Sequence, residues 1–475
     1  MNRKNIFLFS LLVFISSLPL FLSFNRGINY FDEGYILEAA RRIAAGELPY
    51  RDFHFMYTPA TVYYLSFFLR LGGQFVIVER IAALLMSIFG IIFLGLLTRK
   101  LTKNHLLTFL SMFLYSLWGP THLNFMWPVM SVLPLVFCYL FLFLGSRYFL
   151  SGIVIALILL TKQNFGAAVI ISFLSSFIWV RQSKRHFFSI IYGFVSIMFL
   201  FLAHLYITGS TLSFVADINR YTIQEILIRK SFSVPFPTDS LGKFFLYLSP
   251  ALISVAVGIG LVWQKKKRRL IIIPLTTLAI YLLGIFPTPD WPHLTPLLGI
   301  LGILFILVPS IFGSRSRWIS FTLLVFVIGA GILSLFLRNY YRWESPLINN
   351  IHCFSSGRLK YMCLDDKNYT IIMQTVPTIE KEAMGDSYIF AFYNNPIYYF
   401  ITKKNIPTNF INFDVLIGKK EELRVISELK KKKVGVIITR FPPRNVNSPT
   451  LVTYLEKNYT PVHEIYEFMI WKKRN

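Results

Sequence analysis

Along its first 337 positions the chain alternates long apolar blocks with short polar or basic connections. The blocks lie at about 6–24, 76–98, 105–118, 127–145, 148–161, 164–180, 187–207, 247–263, 270–286, 294–312 and 318–337. A helix needs about 20 mostly apolar residues to cross the hydrocarbon layer, and it tolerates Gly and Pro there. The pattern therefore predicts eleven crossings, an odd number that puts the two termini on opposite sides. The first block follows Arg3 and Lys4, but no small-residue cleavage site precedes Asn25, so it reads as a retained anchor. Between the first two blocks, residues 25–75 form a long loop with amphipathic stretches around Gly34–Ala45 and Thr61–Leu71, the pattern of helices lying in the interface. The two short blocks meeting at Thr161, Lys162, Gln163 and Asn164 fit either a broken helix or a re-entrant hairpin.

Beyond Leu337 the pattern turns mixed and polar, with Pro377, Pro396, Pro407 and Pro442 as punctuation. The β-rich runs YIFAFY and VGVIIT flank a helical EELRVISELKKKK, which predicts a small α/β fold. The expected fold class is an all-α polytopic membrane domain, residues 1–337 with a first outer loop 25–75, followed by a soluble C-terminal α/β domain, residues 338–475.

Composition agrees with lipid as solvent: the chain is 55% hydrophobic with a mean hydropathy of +0.57. Its formal net charge of +25 could suggest nucleic acid, so the distribution of charge decides. Up to Leu337 there are ten acids (Asp32, Glu33, Glu38, Glu47, Asp52, Glu79, Asp217, Glu225, Asp239 and Asp290) and 27 Lys plus Arg. With the N-terminus placed in the cytoplasm, 16 of those bases fall in inner loops and every acid falls outside. That is the orientation signature of a membrane protein, clearest in Lys265, Lys266, Lys267, Arg268 and Arg269, and no nucleic-acid partner is expected. Cys353 and Cys363 stand ten apart in the outer tail, where a disulfide and two free thiols remain equal readings.

Five of the ten acids fall between Asp32 and Asp52. One explanation is local: Asp32 caps a helix beginning near Gly34, with Glu33 and Glu38 in its first turns. The other is chemical. Tyr30, Phe31 and Tyr35 surround the acid pair just after a span end, where a carboxylate is costly unless used, and a general base is such a use. Lys162, between two apolar blocks with Gln163 and Asn164 beside it, is the first candidate to hold an anion. A lysine snorkelling from a helix end is its plain alternative.

The loop FDEGYILEAARRIAAGELPYRDFHFMYTPATVYYL resembles the first outer loop of type C glycosyltransferases, in particular bacterial relatives of protein O-mannosyltransferases and aminoarabinose transferases. The matching parts are the Asp-Glu pair after the first span, a helix ending in Gly followed by Pro-Tyr-Arg-Asp, and Tyr-Thr-Pro opening the next helix. LTKQNFG, PTPDWPHLTP and NNPIYYFITKKNIPTNF extend the likeness more loosely. The resemblance implies a membrane enzyme that transfers a sugar from a polyprenyl-phosphate donor to a glycan, lipid or protein acceptor on the outer face. In an inverting transfer one carboxylate takes the acceptor's proton as an oxocarbenium-like centre develops. Asp32 corresponds to the family's first-loop acid, with Glu33 to steady it and Asp52 as a second acid. Arg51 beside Asp52 equally fits an ordinary surface pair. Lys162, Gln163, Asn164, Arg220 and His293 are expected at the donor phosphate, Asp290 and Tyr57 at the acceptor or in support. The segment Thr208–Leu246, with Arg220, Arg229, Lys230, Tyr221, Phe232 and Phe236, is expected to cover the lipid headgroup. No cofactor is expected, and a divalent ion held by Asp32 and Asp52 is not predicted. The competing readings are a transporter or flippase, which would want charges near mid-bilayer, and an outer sensor module merely anchored by the spans.

Overall fold

The computed structural model describes residues 3–180, 183–223, 241–285, 290–313, 315–337, 345–392, 395–411, 418–440 and 448–474. Helices dominate the first 337 positions. They are α1 (Arg3–Ser23), α2 (Asp32–Ala44), α3 (Ala60–Gly72), α4 (Val76–Thr102), α5 (His105–Trp118), α6 (Pro128–Leu144), α7 (Tyr148–Thr161), α8 (Gln163–Val180) and α9 (Lys184–Ile207). There follow α10 (Thr211–Ile223), α11 (Leu241–Trp263), α12 (Ile272–Ile280), α13 (Trp291–Phe312) and α14 (Arg315–Ser334). A 3-10 turn over Lys265–Ile271 leads into α12, and a π turn over Tyr281–Ile285 continues it.

The chain divides into two compact units, and the division is not a single cut. One unit comprises Met1–Phe24, Arg80–His204 and Lys230–Leu347; the other comprises Asn25–Glu79, Leu205–Arg229 and Ile348–Asn475.

In the first unit α1, α4, α9, α11 and α13 are long and apolar enough to cross a membrane, and α5, α6, α7, α8 and most of α14 are shorter apolar helices. Each apolar block of the sequence is helical where it is described; five meet the length and hydropathy of a span, so the eleven crossings remain an expectation. The core is made of aliphatic and aromatic side chains mainly from α4 to α8 and α11 to α14, joined by Leu20 of α1 and Ile190 of α9. Outside it, α9 exposes Phe188, Tyr192, Val195, Phe199, Leu200, Leu202 and Tyr206, an apolar surface that suits lipid and would be a liability in water. Close crossings use glycine. A Cβ on Gly152 of α7 would lie 2.0 Å from the Ile190 carbonyl oxygen of α9, and one on Gly193 would lie 2.0 Å from that of Phe149. The region around Lys162 is a sharp reversal: α7 ends at Thr161, Lys162 is extended, and α8 begins at Gln163 with Gly166 packed against the Leu159 backbone.

In the second unit the two amphipathic stretches of the loop are α2 and α3, which pack on each other. The C-terminal part adds α15 (Asp366–Glu382), α16 (Ile397–Thr402), α17 (Lys419–Lys431) and α18 (Pro449–Asn458). A short antiparallel pair, β1 (His352–Cys353) and β2 (Cys363–Leu364), carries the Cys353–Cys363 disulfide. The sheet proper contains β3 (Phe390–Phe392), β4 (Val436–Arg440), β5 (Tyr459–Ile465) and β6 (Phe468–Lys473) in the order β3-β4-β6-β5, with β3 and β4 parallel and the remaining pairs antiparallel. YIFAFY, VGVIIT and EELRVISELKKKK thus supply β3, β4 and α17, and the sheet's apolar side chains pack with Val425, Leu429, Leu451 and Leu455 of the helices.

Candidate functional site

Four of the five acids of the first loop are engaged in holding that loop together. Phe31, not Asp32, is the N-cap residue of α2, and the turn before it is held by Asn29, whose Oδ1 accepts from the Phe31 and Asp32 amides at 3.0 and 2.7 Å. Buried Glu33 closes the turn by accepting the Asn29 amide at 2.8 Å. Glu38 is fully buried and takes two hydrogen bonds from Arg41, at 2.7 and 2.5 Å. Burial pushes its carboxyl above the usual value, against the pull of Arg41. Glu47 binds Arg42, whose guanidinium lies 4.6 Å from the centre of the Phe53 ring. Asp52 accepts from Arg51 at 2.8 and 2.9 Å and from the Leu48 amide at 2.8 Å, and the Arg51 hydrogen bonds hold its carboxyl below the usual value.

Asp32 is the first residue of α2, half-buried, with its amide fixed by Asn29 and its side chain at the positive end of the helix dipole. Asp52 lies in the turns after α2, where its carbonyl accepts from Arg42 of that helix at 3.2 Å. Tyr57 lies in an aromatic group with Tyr35 and Phe55, and its carbonyl accepts the Tyr50 hydroxyl at 2.7 Å.

Sequence reasoning missed a pair in the same unit. His54 Nδ1 lies 2.6 Å from Asp217 Oδ1, and the second oxygen of this buried carboxylate accepts the Phe55 amide at 3.1 Å. His54 stacks on Phe410 with ring centres 4.2 Å apart. Arg220, one helical turn from Asp217 on α10, lies 5.7 Å from the same ring and 4.0 Å from Glu421. Two residues 163 positions apart give no local signal in sequence. Arg229, Lys230, Phe232 and Phe236 of the expected cover lie outside the described residues, as does the side chain of Tyr221.

In the first unit, the connection Gly119–Trp127 between α5 and α6 gathers the buried cations. Lys162, only 6% exposed, places its ammonium 5.4 Å from the Trp127 ring centre and 5.5 Å from that of Phe165. His293 meets the same indole edge-on at 5.2 Å. Its Nδ1 lies 2.6 Å from Asp290 Oδ1, which also caps α13 through the His293 amide. Asn164 donates to the Leu283 carbonyl in the π turn at 3.2 Å, and Gln163 opens α8 beside Lys162. Arg80, not singled out in the sequence, is 1% exposed; it donates to Asn124 Oδ1, and its guanidinium lies 6.0 Å from the Phe125 ring. Asn124 in turn donates to the Ser23 carbonyl at the end of α1, at 2.5 Å. The only sign of it in sequence is an arginine at the fifth position of the apolar block 76–98. Among the described residues no group of three or more His, Cys, Asp or Glu is placed to hold a metal ion.

An apolar helical unit with buried cations and an α/β unit built around an acid-bearing helix define the architecture of an integral-membrane protein with a substantial polar part. The solved structures of ArnT from Cupriavidus metallidurans have this fold. The form bound to undecaprenyl phosphate superposes with a TM-score of 0.59 at 11% identity, covering 99% of this chain and 98% of that one. The apo form gives 0.56 at 13% identity, with 97% of each chain covered. No protein-family model matches the chain, and no curated protein matches it.

Proposed function

We propose that this chain is a membrane glycosyltransferase of type C that takes a sugar from a polyprenyl-phosphate donor and transfers it, with inversion, to an acceptor on the outer face of the membrane. The observation that carries the reading is the fold shared over essentially the whole chain with a protein whose structure holds undecaprenyl phosphate. The ordered first-loop residues from Asp32 to Pro59 support it independently.

The chemistry asks for two things. The acceptor oxygen forms a bond to the anomeric carbon as the bond from that carbon to the phosphate oxygen breaks, and the acceptor's proton needs a base. Asp32 takes it: a half-buried carboxylate at the start of α2, its backbone steadied by the Asn29 and Glu33 hydrogen bonds. The lipid phosphate leaves with the bonding pair and needs fixed positive charge in a dry environment. Lys162 and Arg80 are the buried cations that suit it, with His293 beside Lys162 on Trp127. The Cys353–Cys363 disulfide supports an extracytoplasmic tail, since such bonds persist in oxidising compartments.

The test incubates purified protein in lipid nanodiscs with a panel of undecaprenyl-phosphate sugars and follows donor consumption. Consumption of one donor, by transfer or by hydrolysis, is the expected result. Coupled movement of an intact lipid-linked substrate across proteoliposomes, with every donor left unconsumed, would replace the transferase by a transporter.

A further inference from the structure

The segment that carries Asp32 is held at three successive points by the C-terminal part of the chain, all within the second unit. First, residues 25–27 pair with the disulfide hairpin. The Cys363 amide donates to the Asn25 carbonyl at 2.8 Å, the Gly27 amide donates to the Cys363 carbonyl at 3.0 Å, and the Asn25 side chain donates to the Tyr361 carbonyl at 3.0 Å. Second, Tyr30, two residues before Asp32, is buried in a socket. Its hydroxyl donates to Asn368 Oδ1 at 3.0 Å, its ring packs 5.2 Å from Phe468 and 6.1 Å from Tyr398, and the Arg440 guanidinium lies 5.4 Å from it. Asn368 is itself oriented by Asp365, which takes its side-chain amide at 2.7 Å. Third, Gly34 lies against the start of α16: a Cβ there would stand 2.3 Å from the Ile397 nitrogen and 2.6 Å from its Cα. The Tyr30 carbonyl accepts that same Ile397 amide at 3.3 Å.

We propose that residues 348–475 act as a template that sets the position of Asp32, with Tyr30, Gly34, Asn368 and the Cys353–Cys363 hairpin as positioning residues. This rests on the catalytic reading of Asp32 for its consequence, but the positioning itself does not. An anchoring or sensing tail would need one attachment point, whereas here three contacts bracket one carboxylate within ten residues, from Asn25 to Gly34. Two of them are backbone to backbone, so they fix the path of the chain as well as its side chains. The glycine contact permits no other residue without moving α2 from α16, because the obstructing atoms are backbone. A proton acceptor displaced by a fraction of an ångström to one ångström loses much of its rate, which makes such bracketing effective.

The test compares full-length wild type with Y30F, G34A and the C353S/C363S double variant in nanodiscs by amide hydrogen exchange, alongside donor turnover. Y30F deletes one hydroxyl and keeps the ring, so it is the variant that spares folding. It is expected to speed exchange of the amides of residues 29–36 by about 5- to 10-fold, the equivalent of one lost hydrogen bond. Turnover should fall by a similar factor, with KM for the donor unchanged. G34A and C353S/C363S are expected to loosen the same amides and leave those of α4 to α8 protected. Unchanged protection of residues 29–36 in all three would overturn the template, whatever their activity. If the amides loosen while D32N proves fully active, the template stands and the assignment of the base falls.

Discussion

Asp32 and Lys162 are the residues on which the proposed chemistry turns. Acids concentrated in one loop drew attention to Asp32, yet the structure accounts for Glu33, Glu38, Glu47 and Asp52 by hydrogen bonds and ion pairs. Density of carboxylates therefore does not by itself choose among them. Pairings such as Glu47 with Arg42 and Asp52 with Arg51 are local and could be anticipated. His54 with Asp217 is not, because it depends on α10 returning to the loop. Asp52 yields a pH prediction. Its carboxyl is held below its usual 3.8 by Arg51, so its stabilising contribution is present above that value and is lost as pH falls through the lowered one. D52N should lower the thermal midpoint slightly at pH 7, and the difference from wild type should shrink as pH falls below 3.8 in scanning fluorimetry. A pH-independent difference would mean that Asp52 acts through shape alone. For Lys162, K162M removes a charge that the dry surroundings of Trp127 and Phe165 make strong. Donor affinity should fall about 10- to 100-fold, as for loss of a charge-assisted hydrogen bond, with K162R retaining most of it. Equal binding by wild type and K162M, measured by titration of undecaprenyl phosphate, would remove Lys162 from the phosphate site.

Helices were the legible elements, because their signal is local. Apolar blocks became helices, and α2 and α3 fell within a few residues of the amphipathic stretches that announced them. The start of α2 was less legible: Asp32 looks like a cap in sequence, but the N-cap position is Phe31 and Asn29 holds the turn before it, and only the backbone path decides. The reversal at Lys162 was foreseen as a break, while its form depends on Gly166 packing against Leu159. Glycine contacts between helices also escape a hydropathy reading, since Gly152 and Gly193 look like ordinary residues of apolar blocks. Each carries a helix crossing in which backbone oxygens stand where a Cβ would be. G152V should overpack the α7–α9 crossing and cost about 1–3 kcal/mol, or more if the helices must separate. A thermal midpoint in nanodiscs equal to that of wild type would show that the crossing has room to spare.

At the scale of the whole molecule, the sequence marked a membrane portion and a polar tail, and described the chain as two consecutive domains. The compact units follow a different rule: Asn25–Glu79 and Leu205–Arg229 group with Ile348–Asn475. Hydropathy sorts segments by solvent and is blind to which polar segments pack together, so the second unit's three-part composition had no sequence signal. The disulfide is legible only in hindsight, because two cysteines ten apart fix no geometry until β1 and β2 bring them together. The fold shared with ArnT at 11–13% identity shows how little of such an architecture needs particular residues. Function then lives in a few positions on it. The most direct test of the account measures donor consumption and donor binding together, for wild type and D32N in the same nanodisc preparation, across undecaprenyl-phosphate sugars. Wild type should consume one donor, and D32N should bind that donor with unchanged affinity while its turnover falls at least about 100-fold, as loss of a general base requires. Full turnover by D32N would contradict the central claim.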